Sequence, residues 1–389
     1  MIDTFTTTPI KRPMNQAAAE LSWADKSYTI ETSANVTLRN SATAWLTPSL
    51  VLAMKKGLDL SVNGPVDAKA LDGATQAQSL FCSWWPDTMH AVKIDATSTT
   101  ATAPDNRGVG CFFSGGLDSF YSAVKNQPNI THLIFVQGFD IFLKSEDHYE
   151  TALRGVQAAA DELGKELITV TTNIRPLFEY NGGWDIGYAL PNIVHLLSDH
   201  LRAVYIPAGE YGDNLPPRGT HPDLDHLWTS SVTEIIHDGL EANRIAKARA
   251  IKESPAAMAH LRVCFANRSD TQNCGECEKC VRTAINLRIV GASGACTSFP
   301  EYNVAKTLRK VPAKAPQFRY YLEHYLQEMN DAGVVDPELR SALEQTLRRT
   351  PRQEIAAELW NFTREAKLPF ILLSQKIRRS IGSRVGRPR

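Results

Sequence analysis

The stretch that decides the fold is VGCFF at residues 109–113, followed by SGGLDS at 114–119 and FYSAVK at 120–125. An apolar strand runs into a glycine turn, and a helical pattern begins directly after the turn. The two glycines let backbone amides approach an anion closely, and the helix N-terminus adds unpaired N–H groups and a partial positive charge. The sequence therefore predicts an anion-binding loop, although a plain strand-to-helix turn with a serine cap has the same pattern.

The segments around this loop alternate between strands and helices. Apolar runs at 133–136, 167–170 and 203–206 are separated by helical patterns, the longest of them at 149–163. Strands that alternate with helices predict a parallel sheet joined by right-handed crossovers, with ligands at the carboxyl ends of the strands. We therefore expect an α/β fold with a doubly wound, Rossmann-like parallel sheet.

Shifts in composition predict three domains. Residues 1–104 have short alternating runs and one helical segment, which indicates a small α+β domain that ends in a polar linker at 96–106. Residues 105–299 hold the α/β pattern, and residues 300–389 read as a helical extension with 17 basic and 10 acidic side chains. The basic tail KIRRSIGSRVGRPR at 376–389 predicts either contact with RNA or an anionic surface, or a frayed, solvated end.

Length and composition exclude several classes of protein. The chain of 389 residues is 43% hydrophobic and 22% charged, which is too apolar for a disordered chain. Its formal net charge is zero, so no overall field draws it to nucleic acid or membrane. No apolar run near either end approaches the roughly 20 residues that a transmembrane helix needs, and the first residues do not resemble a secretory leader. We expect a cytoplasmic protein with no transmembrane segment, and a homodimer is compatible with this composition.

Side chains of the glycine loop add to its predicted chemistry. Ser114 and Ser119 supply hydroxyl donors for phosphate oxygens. No lysine follows the glycines, as it does in the loop that grips β and γ phosphates. Asp118 would repel a phosphate unless a divalent cation lay between them, so the loop predicts Mg²⁺ as a cofactor.

The chain has seven cysteines, and four of them crowd into one segment. The four are Cys264, Cys274, Cys277 and Cys280. Gaps of two residues between the last three let their thiolates reach one tetrahedral Zn²⁺ ion. Zinc with four sulfur ligands has no open position, so we assign this site a structural role. A [4Fe–4S] cluster uses the same ligands and is the alternative interpretation.

Together, the loop and the cysteines resemble a known family. Ser-Gly-Gly-x-Asp-Ser after the first strand of a parallel sheet resembles the pyrophosphate loop (PP-loop) of the N-type ATP pyrophosphatases. The cysteine order narrows the resemblance to the 7-cyano-7-deazaguanine synthase family, whose zinc site has a cysteine, about nine residues, then C-G-x-C-x-x-C. The match covers residues 108–288, about half of the 389-residue chain.

The resemblance implies a fold, an activity and a set of ligands. It implies an adenine nucleotide alpha hydrolase-like fold and an ATP-dependent, AMP-forming C–N ligase or amidase. ATP would adenylate a carboxylate or amide oxygen of a small-molecule substrate, pyrophosphate would leave, and ammonia or an amine would attack. The residues implied to hold ATP and Mg²⁺ are Ser114, Gly115, Gly116, Leu117, Asp118, Ser119 and Arg244.

Further polar residues are predicted to contact the substrate that accepts the adenylyl group. Asp213 ends the segment GEYGD after the fourth strand of the α/β pattern, and HPD at 221–223 resembles the family's Tyr-Pro-Asp substrate motif. The resemblance implies a catalytic set of Asp118, Asp213, His221 and Asp223. A surface loop rich in turn-forming residues is the alternative interpretation of the segment 216–226.

Departures from the family change the expected function. After His-Pro-Asp the family has Cys-Arg, whereas this chain has Leu224 and Asp225. Phe120 also stands where the family has Ser or Thr. We therefore expect a paralogue with a different substrate. Two alternatives are an RNA-modifying sulfur transferase with an iron–sulfur cluster, and a nucleotide-binding partner without turnover.

Overall fold

The computed structural model describes residues 4–179, 186–264 and 272–366. Its strands are β1 Phe5–Ile10, β2 Gln16–Trp23, β3 Lys26–Ala34, β4 Leu60–Asp67, β5 Ile94–Thr99, β6 Gly108–Phe112, β7 His132–Gln137, β8 Glu166–Thr172, β9 Leu201–Pro207 and β10 Glu234–Asp238. Its α-helices are α1 Ala42–Lys56, α2 Ala68–Trp84, α3 Leu117–Lys125, α4 Glu146–Leu163, α5 Arg175–Glu179, α6 Leu190–Leu196, α7 Pro222–Asp225, α8 Arg244–Ile251, α9 Pro255–His260, α10 Glu278–Ile289, α11 Val304–Leu308, α12 Pro316–Asp331, α13 Pro337–Leu347 and α14 Pro351–Ala366. The chain divides into two compact units, residues 1–262 and 263–389.

The first unit is built on one ten-stranded sheet in the order β10-β9-β6-β7-β8-β3-β2-β1-β4-β5. Neighbours from β10 to β8 are parallel, and β4 is parallel to both β1 and β5. The pairs β1–β2, β2–β3 and β3–β8 are antiparallel. The predicted α/β architecture with a mostly parallel sheet is confirmed.

The order in which the chain adds parallel strands to the sheet reverses at β6. From β6 the chain moves through α3 to β7 and on to β8, and it later returns to β9, on the other side of β6, and then to β10. This order is that of a Rossmann-like sheet, in which a crevice opens at the carboxyl ends of the two strands where the direction reverses. The segments after β6 and β9 therefore flank the predicted ligand position.

The N-terminal strands extend the same sheet through the β3–β8 pair. Thr32 and Thr172 face each other in this pair, and their hydroxyls are 3.0 Å apart. Just beyond β8, the Asn173 side-chain oxygen accepts from the backbone N–H of Glu31 at 2.8 Å. The backbone carbonyl of Asn173 accepts from the Tyr28 hydroxyl at 2.6 Å. Main-chain and side-chain hydrogen bonds thus join the first hundred residues to the α/β pattern.

One hydrophobic core underlies this extended sheet. It includes Phe5, Trp45 and Phe81 from the N-terminal segment together with Val194 and Trp228 from the α/β segment, and all five are buried. The division predicted from the sequence, at 104/105 and 299/300, differs from the observed division at 262/263. The difference arises because the N-terminal strands share both a sheet and a core with the segment that the sequence pattern separates from them.

Part of the predicted linker also differs. The segment 96–106 was expected to be a loop, but its first four residues belong to β5, which pairs in parallel with β4. Threonine and serine favour loops by composition, yet the β-branched threonines also suit an edge strand with exposed side chains. β5 is the last strand of the sheet order, and most of its side chains are exposed.

The second unit is helical beyond its cysteine-rich start. Helices α11, α12, α13 and α14 lie after residue 300, in the segment that the sequence predicts to be a helical extension. The Arg288 guanidinium on α10 bonds to both carboxylate oxygens of Asp336, at 2.5 and 2.9 Å, and so ties α10 to the start of α13. Across the described parts of both units, no helix is long and apolar enough to cross a membrane.

We predict that Gly73→Ala destabilises the first unit, although alanine is the better helix former. A Cβ atom at Gly73 would lie 1.7 Å from the Leu227 carbonyl oxygen, so α2 would have to move away from the short 3₁₀ turn His226–Trp228. Urea denaturation should show a loss of about 2 kcal/mol in the free energy of unfolding. Thr75→Ala, on the exposed side of α2, should change it by less than about 0.5 kcal/mol. Equal stabilities of the two variants would contradict the close packing.

Candidate functional site

The 114–119 loop joins the end of β6 to the start of α3. Gly115 has a φ of 76°, a left-handed conformation that favours glycine. The Gly115 carbonyl accepts from the Arg262 N–H at 2.7 Å, and Gly116 is the N-cap of α3. The Ser114 hydroxyl accepts from the Gly116 N–H at 3.3 Å, and the Ser119 hydroxyl donates to the Gly116 carbonyl at 3.0 Å. The loop thus holds the first-turn N–H groups of α3 at the crevice, where helices commonly bind anions.

Asp118, in the first turn of α3, is held by two cations from α8. One carboxylate oxygen accepts from Arg244 and the other from Lys247, both at 3.0 Å. Lys247 is almost fully buried and also donates to the Ala208 carbonyl, just after β9, at 2.6 Å. The Asp118 side chain is 20% exposed, so this ion pair is partly shielded from water. The contact joins α3, α8 and the end of β9 at one point.

Sequence reasoning placed Arg244 near the loop but missed Lys247. The signal was present, because Arg244 and Lys247 are three residues apart on one helix and therefore share a face. The expected partner of Asp118 was a divalent cation, whereas the structure brings these two side chains to it. The buried position of a lysine cannot be read from its neighbours in the sequence.

A second polar network orients α3 against β10. The Ser122 hydroxyl donates to Asp238, at the end of β10, at 2.6 Å, and Lys125 pairs with the other Asp238 oxygen at 2.7 Å. Tyr121 donates to Glu241 at 2.7 Å. Burial, with the bond to Glu241, raises the pKa of Tyr121 to about 12, so this hydroxyl keeps its proton at neutral pH. These contacts fix the direction in which α3 presents its first turn.

Phe120 explains one departure from the family pattern. Its ring is fully buried and packs edge-on against Phe113, with the ring centroids 4.8 Å apart. The side chain therefore belongs to the core beneath the loop. An aromatic ring at this position adds packing where a hydroxyl would add a polar contact.

A cavity of about 210 Å³ lies over the loop in the first unit. Its polar lining includes Ser114, Asp118 and Ser119 together with Thr220 and Arg262. The remaining wall is mostly apolar and comes largely from the ends of β6, β7 and β9, with Phe112, Phe113, Ile134, Phe135, Val136, Phe139, Asp140, Ile141, Leu190, Ile206 and Pro207. A polar end with an apolar wall suits a ligand that carries phosphates at one end and a flat ring at the other.

The structure does not place the predicted acceptor-side residues in this cavity as a group. Asp213 and Asp223 are exposed, and neither contributes to the cavity wall. His221 is buried against Trp84, with ring centroids 4.8 Å apart, and its Nδ1 accepts from the Asp223 N–H at 3.1 Å. Burial lowers the pKa of His221, so its ring is an acceptor at neutral pH.

The residue before His221 does reach the cavity. The Thr220 hydroxyl donates to Asp225 at 2.7 Å, and the His237 ring nitrogen Nδ1 lies 2.6 Å from the same carboxylate oxygen. Asp225 is almost fully buried, at 1% exposure, so its charge depends on these partners. Sequence reasoning noted Asp225 as a departure from the family and as a member of the polar segment 216–226, and it missed Thr220 and His237.

In the second unit, the four predicted zinc ligands come together. The Sγ atoms of Cys264, Cys274, Cys277 and Cys280 all lie within 4.8 Å of one another. Two pairs, Cys264 with Cys277 and Cys274 with Cys280, are 3.9 Å apart. Zn–S bonds of about 2.3 Å in a tetrahedron place sulfurs about 3.8 Å apart. In a [4Fe–4S] cluster each cysteine sulfur binds a different iron at a corner of the cluster, so the four sulfurs lie farther apart than around a single Zn²⁺ ion. The short distances between these sulfurs therefore favour zinc.

Backbone N–H groups also donate hydrogen bonds to two of these sulfurs. Cys274 Sγ accepts from the Cys277 N–H at 3.2 Å, and Cys277 Sγ accepts from the Cys280 N–H at 3.4 Å. Such bonds stabilise thiolate charge around a bound ion. Gly275, between these ligands, has a φ of 72°, which permits the tight turn. Four thiolates would hold Zn²⁺ with no open position, so the metal would stabilise the fold of the second unit.

We predict that the purified protein contains about one zinc per chain and no iron–sulfur chromophore. Elemental analysis and the absorbance near 400 nm measure both properties. Cys280→Ala should lose the zinc and lower the melting temperature, because it removes a buried ligand. Cys82→Ala, outside the cluster, should keep it. A brown protein with bound iron would contradict the zinc site.

We also predict that Lys247→Met lowers the free energy of unfolding by about 2 kcal/mol, since it removes one of the two cations that hold Asp118. Lys252→Met, at the C-cap of the same helix, should change it by less than about 0.5 kcal/mol, because that side chain is 35% exposed. Urea denaturation monitored by circular dichroism measures both variants. If Lys247→Met were as stable as Lys252→Met, Lys247 would not anchor the loop.

Searches of protein-family models, curated proteins and solved structures find no match to the chain. The resemblance to the PP-loop enzymes therefore depends on the two motifs, their order and the geometry described above.

Proposed function

We propose that this protein is an ATP-dependent, AMP-forming C–N ligase or amidase of the PP-loop type, with the adenine nucleotide alpha hydrolase-like version of the α/β fold. The observation that carries the proposal is the 114–119 loop at the point where the sheet reverses direction, with Asp118 held between two cations. The four-cysteine cluster, downstream in the same order as in the resembling family, supports it.

The phosphate end of ATP fits the polar end of the cavity. The first-turn N–H groups of α3 and the Ser114 hydroxyl would supply donors, whereas the Ser119 hydroxyl already donates to the Gly116 carbonyl, and Gly115 and Gly116 have no side chain to hinder phosphate oxygens. Arg262 lines the same cavity and adds positive charge. Cations and main-chain donors of this kind stabilise charge that develops on a departing pyrophosphate.

The base of ATP fits the apolar wall. Ile134, Phe135 and Val136 from β7 and Phe139 beyond it form a surface on which a flat ring would pack. β7 is next to β6 in the sheet, so this surface lies beside the loop. One nucleotide would then span the distance from the loop to the end of β7.

The chemistry follows from the position of the α-phosphate between these two ends. An oxygen of the acceptor carboxylate or amide attacks the α-phosphorus, the bond to the β-phosphate oxygen breaks, and pyrophosphate leaves with the electron pair. Ammonia or an amine then attacks the adenylated carbon, and AMP leaves. The residues assigned to the first step hold and neutralise the phosphates, so positioning and electrostatics supply most of the rate.

Two carboxylates in the cavity wall would supply oxygen ligands for Mg²⁺. Asp118 and Asp140 both line the cavity, and carboxylate oxygens are the ligands that Mg²⁺ prefers. Asp118 also accepts from Arg244 and Lys247, so an ion bound there would share this carboxylate with two cationic side chains. Bound there with ATP, the ion would neutralise phosphate charge.

Thr220 is the acceptor-side residue that the cavity favours. Its hydroxyl proton is directed to Asp225, so the oxygen presents lone pairs to a ligand N–H group. His237 Nδ1 contacts the same carboxylate oxygen at 2.6 Å. Asp213, His221 and Asp223 do not line this cavity. We therefore propose that they contact a substrate only where it extends beyond the cavity.

Incubation with α-labelled ATP, ammonium and a panel of small carboxylic acids tests the proposal. We predict labelled AMP and one pyrophosphate per AMP, with formation dependent on the acid, because cleavage lies between the α and β phosphates. ADP as the only nucleotide product would reject this chemistry. A sulfur transferase would form AMP with RNA and a sulfur donor and not with the acids.

Two loop variants connect the activity to the loop. Asp118→Asn and Gly116→Val should each lower AMP formation about tenfold or more. The first removes the charge that pairs with Lys247 and Arg244, and the second places a Cβ atom 3.1 Å from the Ser114 hydroxyl oxygen. Asp147→Asn, an exposed carboxylate in α4, should keep the wild-type rate. Unchanged turnover in both loop variants would separate the activity from this site.

A further inference from the structure

A second cavity, of about 330 Å³, lies in the first unit at the end of the sheet where β9 and β10 begin. Ser198 comes just before β9, and Ser230 just before β10. Asp67, the last residue of β4, lines the same cavity. β9 has seven residues, so this cavity is roughly 20 Å from the end of β9 that faces the 114–119 loop. It is therefore a separate place from the proposed nucleotide site.

Asp67 has one oxygen with many donors and one with none. Its Oδ1 accepts from the N–H groups of Lys69 and Ala70, in the first turn of α2, and from the N–H and hydroxyl of Ser231. Its Oδ2 is buried and has no hydrogen-bond partner among the described residues. The side chain belongs to a residue that is 3% exposed. A buried carboxylate oxygen without a donor is costly, and a cationic donor offsets that cost.

The rest of the cavity wall is mostly polar, with Pro65, Ala101 and Val232 as its apolar members and Arg39 as a charged one. Four further buried polar residues line it: Thr43, His195, Ser198 and Ser230. The His195 Nε2 lies 2.9 Å from the Trp228 carbonyl and must donate to it, which leaves Nδ1 as an acceptor. Burial lowers the pKa of His195 to about 4, so the ring is neutral at pH 7. Arg39, which also lines the cavity, pairs with Asp199 at 3.2 Å.

We propose that this cavity binds a small organic primary amine, with its ammonium group on Asp67. An ammonium group supplies a positive charge and three N–H donors, which match a carboxylate oxygen, an imidazole nitrogen and hydroxyl oxygens. An alkali-metal ion supplies charge without donors, and an imidazole nitrogen is a poor ligand for it. The hydroxyl groups of Ser41 and Thr99 extend the polar wall outward and suit an amine that carries a hydroxyl.

Thermal denaturation of the full chain with ethanolamine tests this site. At constant ionic strength, ethanolamine should raise the melting temperature with a saturable dose response. Tetramethylammonium, which has the charge but no N–H donors, and ethylene glycol, which has hydroxyls but no charge, should not. Asp67→Asn should weaken the ethanolamine response about tenfold or more. Asp72→Asn, on the exposed side of α2, is the matched control and should keep it.

A second variant separates binding from folding, because Asp67 also caps α2. Ala101 is half-buried and lines the cavity, so Ala101→Trp fills the space while the cap stays in place. This variant should fold normally and lose the ethanolamine response. The proposal is overturned if Ala101→Trp keeps the response, if ethanolamine has no effect on the wild type, or if tetramethylammonium or K⁺ stabilises the protein equally.

Discussion

The ion pairs of Asp118 with Lys247 and Arg244 are the constraint on which the candidate site depends. They join a helix that follows β6 to a helix that follows β10, and Lys247 adds the Ala208 carbonyl beyond β9. Because Lys247 is almost fully buried, losing its contacts while it stays inside would leave an unpaired buried cation, so these contacts hold the three segments together. The glycine loop is therefore held in shape before any ligand binds, and such preorganisation is what the proposed phosphate chemistry would need.

The parts of the site that could be predicted are those encoded within a few residues. Strand, glycine turn and helix start follow one another at 109–125, and the cysteine spacing alone indicated a metal knuckle. The missed residues come from distant segments: Lys247 meets Asp118 across 129 positions, and His237 meets Asp225 only after the chain has crossed to β10. Such pairings depend on the order of strands in the sheet, and that order is not local information.

The N-terminal segment shows the same limit at the level of the fold. Its alternating pattern correctly suggested short strands, but the sequence indicated one helix where the structure has two, α1 and α2. Composition at 96–106 also suggested a boundary where the sheet continues. A boundary between units requires that few contacts cross it, and contacts between strands far apart in the chain leave no trace in local composition. The shared core, with Trp45 and Trp228 in one cluster, makes the two segments a single unit.

The antiparallel junction between β3 and β8 has a consequence for biosynthesis. Thr32 in β3 pairs with Thr172 in β8, which is 140 positions later in the chain. At translation rates of about 5–20 residues per second, the outer edge of β3 emerges from the ribosome on the order of ten seconds before β8 does. During that interval β3 has an unpaired edge, which is the kind of surface that invites aggregation. The nascent chain would therefore be open to aggregation through this edge until β8 has emerged.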